Sequence, residues 1–306
     1  MDRKELTEAF AKAMQLGLSQ EDTRRAIAVK IVKSISDSME QSDLASLILP
    51  KEYIPLGQTV EFKVPGKLKV YWHEAGSYAP RTQMVNKVFS IPTSLVSAHP
   101  ECELGLLEAG RYGSMQDLID AAKEGLQGAI NAKIWNTLIG SITSTKKNYA
   151  TSSGKLTMAA LNEAINYVED QVGGAVAIVG RKNVLGSLLD FNTSTYEVGV
   201  YSDSVKDQIM KTGKINTYRG IPVIGLNQWR DAYGKVTVNE GSVLVVGKNV
   251  GRYVVSQELR SQDAIDVDNL VWHIHLYMRV GCGVIFPERM YRIVIIPSPG
   301  GQSQVM

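Results

Sequence analysis

Apolar residues recur along this chain at two spacings, and the switches between them mark out its elements. The first spacing is helical. Between Ser19 and Ser46, the residues Ala26, Ile27, Val29, Ile31, Val32, Ile35 and Met39 fall mostly on one side of a helix. Ser19 is placed to cap it, with Asp22 able to reach back, and Gly17 separates it from a helical stretch nearer the start. A terminal amphipathic helix needs cover for its apolar stripe, from the parent domain or from a neighbouring chain.

The spacing then changes to two. In TVEFKV, Val60, Phe62 and Val64 alternate with Thr59, Glu61 and Lys63; KLKVYWHE continues through Leu68, Val70 and Trp72, and QMVNKVFSI is a further extended run. Pro65-Gly66 and the AGSYAP stretch at 75–80 are turns. The pattern predicts long antiparallel strands over 57–92, a ribbon with little core of its own and marginal stability alone in water.

Helical spacing returns with Met115, Leu118, Ile119, Ala122, Leu126, Ala129, Ile130, Ile134, Trp135 and Leu138. Ser114 is the predicted N-cap, with Asp117 completing an S-x-x-D box. From Met115 to Ile139 the predicted helix has about 25 residues and spans roughly 37 Å at 1.5 Å per residue. The average helix is about 11 to 12 residues. Gly125 and Gly128 lower its intrinsic helicity and leave room for another backbone to approach.

The polar stretch 141–156, SITSTKKNYATSSGKL, reads as a domain boundary. Thr157 then caps a helix carrying Leu161, Ile165, Tyr167 and Val168. AVAIVG reads as a buried strand, RKNVLGSLLDF as a helix, and GIPVIGL, SVLVVG and GRYVVS as further strands, a mixed α/β unit from 157 to about 258. Residues 268–296 read as two long strands, interrupted at Gly281 to Pro287, that return to pack beside the long helix. One domain is therefore inserted in another, and the class is α+β.

Composition changes this picture little. The 306 residues are 44% hydrophobic and 21% charged with a formal net charge of +2, an ordinary globular balance with no overall pull toward nucleic acid or membrane. Met1 to Leu16 is charged and helix-patterned, so no signal peptide is expected, and no apolar run is long enough to predict a membrane span. The two cysteines, Cys102 and Cys282, lack zinc spacing and read as free, buried thiols of a reducing compartment.

Candidate chemistry is sparse. The phosphate-loop, dinucleotide, nucleophile-elbow and zinc-protease motifs are all absent. Where AVAIVG ends at Gly180, Arg181 and Lys182 begin the next helix, which is either an anion site or a solvated strand-turn-helix corner. His273 and His275 lie two apart on a predicted strand and so share a face. They are either a metal pair awaiting Glu288 or His73, or ordinary strand-face residues that lend an interface pH sensitivity. Trp72, Trp135, Trp229 and Trp272 are spread out without aromatic-basic alternation and read as core or interface anchors. Arg24, Arg25, Lys30 and Lys33 cluster on the second helix, yet Met1 to Pro50 carries seven basic and eight acidic residues, so that face reads as solvated. Catalytic, cofactor-binding and metal-ligating residues are therefore expected to be none, and the chain is not expected to be an enzyme.

The order of parts is what informs. A helical arm precedes a projecting strand pair; then VFSIPTSLVSAHPECELGLLEAGRYGSMQDLIDAAKEGLQGAINAKIWNTLI supplies a strand, a proline loop and a long helix, followed by an α/β insertion and closing strands. This resembles the major capsid proteins of tailed bacteriophages, the Hong Kong 97-type fold. The resemblance implies an N-terminal arm at 1–50, an extended loop at 51–92, a peripheral domain with its spine helix at 93–156 and 262–306, and an axial domain at 157–261. It further implies self-assembly into hexamers and pentamers of an icosahedral head, made in the host cytoplasm and enclosing double-stranded DNA, with nonspecific DNA contact on the inner face and no membrane. Partners would be other copies of the chain, a portal, decoration proteins, and a scaffold that is separate or absent, since only about 50 residues precede the ribbon. Some members join subunits by a lysine–asparagine bond; Lys67 and Lys69 lie in the ribbon, but no partner is identifiable and no crosslink is expected. A nanocompartment shell of the encapsulin type, holding cargo enzymes, and an α/β nucleotide-binding enzyme using the Gly180 turn are the alternatives.

Overall fold

The structure, a computed structural model, describes residues 29, 32, 33, 35, 48–58, 60–64, 86–103, 112–192, 216–227, 241–266 and 271–296. Two sheets and one long helix organise them. The first sheet holds β1 (Lys51–Tyr53), β4 (Ser94–Ala98), β5 (Glu101–Glu103), β11 (Gly251–Asp266) and β12 (Val271–Val284), in the order β1-β11-β12-β4 with β5 also on β12. Its spine is the antiparallel β11–β12 pair, which runs from Gly251 opposite Val284 to Asp266 opposite Val271 with register shifts between Val255 and Arg260. β12 alternates as a one-sided strand should. Trp272, Ile274, Leu276, Met278 and Val280 are buried, while His273, His275, Tyr277 and Arg279 on the other face are half-buried.

Helix α1 (Tyr112–Gly140) covers the apolar face. At 29 residues it runs roughly 43 Å. Leu126, Ile130, Ile134 and Leu138, four apart, form the buried stripe with Trp135, which is 0% exposed. The helix starts earlier than the capping box predicts: Ser114 lies inside its first turn, and the S-x-x-D motif marks no terminus here.

The second sheet is mixed. β6 (Tyr149–Ser153), β7 (Ala175–Arg181), β8 (Thr217–Tyr218), β9 (Ile221–Leu226), β10 (Ser242–Gly247) and β13 (Met290–Ile296) are ordered β6-β13-β10-β7-β9-β8. Helix α2 (Met158–Val172) covers one face, packing Leu161, Ala164, Ile165 and Val168 against Ile178, Val243, Val245 and Ile293. The predicted cap holds: Thr157 Oγ1 accepts from the Ala160 amide at 3.3 Å, and Gly173, at φ 74°, closes the other end in the left-handed region. The opposite face contributes Ala177, Val179, Leu244, Val246 and Met290 to the core beneath α1. β10 is therefore buried on both sides along its whole length, which is why SVLVVG reads as an unbroken apolar run.

Several predicted elements are corrected. GRYVVS opens β11 and belongs to the first sheet, not to the α/β unit. The closing strands do not stay together. A 3-10 turn at Pro287–Arg289 redirects the chain, and β13 enters the second sheet between β6 and β10, where Tyr291 and Ile293 find cover from α2. The interruption expected at Gly281 to Pro287 begins only after Val284, because β12 continues through Gly281 and Gly283. A Cβ on Gly281 would stand 2.6 Å from the Pro92 carbonyl oxygen, and one on Gly283 2.6 Å from Ile91 Cγ1. These glycines clear the strand face for the root of a hairpin rather than interrupting the strand. The polar stretch after α1 is not merely a linker, since Tyr149–Ser153 forms edge strand β6. The helix expected from RKNVLGSLLDF is a four-residue α3 (Lys182–Leu185) followed by a 3-10 segment.

That hairpin root is the predicted ribbon: β2 (Val60–Val64) pairs antiparallel with β3 (Lys87–Ile91), with Phe62 opposite Phe89. The ribbon beyond it, including Lys67, Lys69, Trp72 and His73, lies outside the described residues, as do Ser19, Asp22, Arg24, Arg25, Lys30 and Trp229. In the arm, Ile35 is 0% exposed and sits in the same core as Trp135, Ile48 and Leu49, whereas Val29 is 60% exposed. The parent chain itself thus covers the inner part of the arm.

Candidate functional site

The Gly180 corner is closed by packing. A Cβ on Gly180 would meet Val243 Cγ2 at 3.2 Å. Arg181 is 7% exposed rather than solvated, and only Lys182 faces water. With four residues in α3, there is no helix N-terminus of useful length to hold an anion.

The histidines are more instructive. His273 and His275 share the outer face of β12 as the two-residue spacing predicts. His73 lies outside the described residues, and the described group that joins them is not Glu288. It is His99, from the connector between β4 and β5, whose ring lies 3.8 Å from that of His275 at 71°. Tyr277 stands on the other side of His275, ring centres 5.1 Å apart. Burial and then the neighbouring His99 hold the His275 imidazole below its usual range. Glu288 sits on the turn before β13. Among the described residues, no three metal-ligating side chains converge. His99 was missed because its neighbours come from strand register, which leaves no local mark in sequence.

A second polar centre was also missed. Arg292, alone among apolar residues in MYRIVII, points from β13 toward the end of α1. Its Nη1 donates to the carbonyls of Ile139 at 3.0 Å and Ile142 at 3.2 Å, and its Nε and Nη2 donate to Ser242 Oγ at 3.3 and 3.2 Å. Tyr149 lies beside it, 5.8 Å from guanidinium carbon to ring centre. The cation satisfies carbonyls that a helix end leaves unpaired, where the helix dipole favours positive charge. Burial lowers its pKa, and Tyr149 acts in the opposite sense. Beside it the buried Asn148 donates through Nδ2 to the carbonyls of Pro287 at 2.8 Å and Met290 at 2.7 Å. Both groups serve structure: they lock the exit from α1 to β13.

Elsewhere, Trp135 and Trp272 are core residues, as predicted for scattered tryptophans. Cys282 is half-buried. Lys33 is exposed on its helix. Among the described residues, the exposed large apolar ones are Val29, Tyr53, Leu56, Val88, Leu95 and Ile296, on the arm, β1 and the turn after it, β3, β4 and β13. A cavity of about 390 Å³ opens between Ile48–Lys51, Val176 and the Lys248–Asn249 turn. No described helix is long and apolar enough to cross a membrane. What this surface offers is strand faces, a hairpin root and single apolar side chains, the means of holding other polypeptides.

One protein family, described as SPbeta prophage-derived putative capsid protein YonB, matches residues 12–290. No curated protein matches the chain. Among solved structures, the fold resembles a protein of Microbacterium phage Oxtober96, with a TM-score of 0.62, 12% identity, and coverage of 84% of this chain and 91% of that one. The capsid of the cyanophage P-SCSP1u is similar at a TM-score of 0.57 and 14% identity, covering 84% and 88%. The virus-like particle from Pyrococcus furiosus is similar at a TM-score of 0.54 and 15% identity, covering 86% and 97%.

Proposed function

The chain belongs to the capsid-protein family that matches it over residues 12–290, it is a structural capsid protein, and we propose that its copies close into the icosahedral head of a tailed phage around double-stranded DNA. The reach of that match carries the reading, because it runs through the hairpin root, α1 and both sheets rather than one module. In this reading the fold is of the Hong Kong 97 type, with an arm at 1–50, an extended loop at 51–92, a peripheral domain at 93–156 and 262–306, and an axial domain at 157–261. Strand pairing qualifies that division at four places, since β1 and β11 lie in the α1-covered sheet and β6 and β13 in the α2-covered one. Hexamers and pentamers form around the α2 unit, and the hairpin reaches a neighbour. Scaffold, portal and decoration proteins complete the particle, which is made in the host cytoplasm, and DNA contact is nonspecific. Function here is assembly, with no chemical step.

The test is electron microscopy of the purified full chain, overexpressed alone and with its neighbouring genes. Uniform closed shells that package nucleic acid when those genes are present support the reading. A monodisperse monomer at high concentration, in every combination, overturns it. The likeness to the virus-like particle from Pyrococcus furiosus favours a second reading, an encapsulin-type compartment. Shells that hold co-purifying enzymes and exclude nucleic acid would select it.

A further inference from the structure

Three of the four histidines in the chain, His99, His273 and His275, gather on the outer face of β12. Two of the three come from one strand and the third from a connector more than 170 positions earlier in the chain, so local sequence does not explain the grouping. The backbone holds them in place. Leu276 pairs with Ala98 on one side of the connector and His273 with Glu101 on the other, and between them the Ile274 amide donates to the Pro100 carbonyl at 3.1 Å. The register therefore makes a small square on one face: His275 beside His99 and, two residues along, His273 opposite Glu101. The His99 and His275 rings are 3.8 Å apart, and His99 and Glu101 are exposed while His273 and His275 are half-buried, so an ion reaches them from solvent.

We propose that His99 and His275 bind one divalent transition ion of the imidazole-seeking class, Zn²⁺, Ni²⁺ or Cu²⁺, with His273 and Glu101 beside the site and not among its ligands. Neutral imidazole is the common ligand of these metals. Two ligands already held by ladder pairing lose little freedom on binding. No three ligating side chains converge among the described residues, so the ion keeps water in its remaining positions, as an exchangeable site does. Arg260, opposite Tyr277, and Arg279 lie further along the same face and oppose the charge, while Glu101, and Glu103 opposite Val271, favour it. The bound ion would clamp the β4–β5 connector to β12. The inference does not depend on the assembly reading.

Isothermal titration of ZnCl2 into untagged, metal-free full chain at neutral pH tests it. The expected result is one ion per chain with a dissociation constant in the micromolar range, and a rise in Tm with added zinc. His99→Ala, at an exposed position, leaves the metal-free melting temperature unchanged and abolishes the binding and the zinc-dependent rise. His273→Ala weakens binding about tenfold, the scale of a supporting group. No saturable binding up to millimolar zinc overturns the proposal, and so does binding that survives both His99→Ala and His275→Gln.

Discussion

Replacing Arg292 with methionine tests how firmly the end of α1 is tied to the second sheet. Methionine keeps the apolar stem and deletes the guanidinium. The carbonyl of Ile142 then loses the donor at 3.2 Å, and Ser242 Oγ, on a fully buried residue, loses both of its contacts from Arg292. The Ile139 carbonyl is less affected, because the Ile142 amide still donates to it at 3.3 Å. A charged hydrogen bond contributes about 1.5–3 kcal/mol, and a buried group left unpaired costs about 1–3 kcal/mol. Only one carbonyl is fully stranded and the serine hydroxyl can turn elsewhere, so the sum comes down to about 3 kcal/mol. For a chain of this size that lowers Tm by roughly 6 °C. Arg292→Lys keeps the charge but not the planar fork that spans two carbonyls and a hydroxyl, and loses about half as much. Differential scanning calorimetry measures both variants, each compared with wild type in the same state of assembly. Lys146→Ala is the control: Lys146 Nζ donates to the Ser141 carbonyl at 2.7 Å in full contact with solvent, and its loss leaves Tm unchanged. An Arg292→Met protein melting within about 2 °C of wild type, under 1 kcal/mol, would refute the reasoning.

Gly281→Ala places a methyl against the Pro92 carbonyl oxygen, costs about 1–3 kcal/mol by overpacking, and should speed proteolysis at the hairpin root. Gly125→Ala does the reverse: nothing lies within 4 Å of the new Cβ, and removing a mid-helix glycine stabilises α1 by about 0.5–1 kcal/mol in denaturant unfolding. Ile35→Ala leaves a cavity in the shared core and costs about 2–5 kcal/mol; a loss near zero in urea titration would show that the arm does not pack there. Burial and the Glu163 carboxylate push the Tyr291 phenol up to about 12. An unfolded tyrosine titrates near 10, so the stability this group contributes is whole below about pH 10 and drains away as pH climbs toward 12. Alkaline unfolding of Tyr291→Phe should lack that part of the slope.

What was legible in the sequence was whatever has a local period. The α1 stripe repeats every three to four residues, β12 alternates, and Thr157 sits where a cap must, so these elements could be read directly. What was not legible was pairing at a distance. Nothing in MYRIVII says that β13 runs between β6 and β10, although its lone arginine signals a buried partner that only the fold supplies. Gly281 read as a break because a glycine that clears space for Ile91 looks the same in sequence as one that ends a strand. His99 had no visible partner for a similar reason: its neighbour, His275, is brought to it by the register of β4 and β5 on β12. The arm stripe was recognised, but the choice of what covers it was not, because a helix face shows only that it needs cover.

That choice changes how the subunit can move. Ile35, Trp135, Trp272, Leu244 and Val246 belong to one continuous core, so the arm, α1 and both sheets share buried surface. Sliding α1 against the second sheet would draw Arg292 away from two carbonyls and leave Ser242 unpaired. It would also open space around Trp135, and packed interiors switch between discrete arrangements rather than deform smoothly. The hairpin is held differently. At its root Ile91 rests on Gly281 and Gly283, and Arg252 lies 5.9 Å from the Phe62 ring. Val88 on β3 remains exposed, as does Val29 in the arm. Changes in subunit shape therefore cost most at the junction where α1 meets β13.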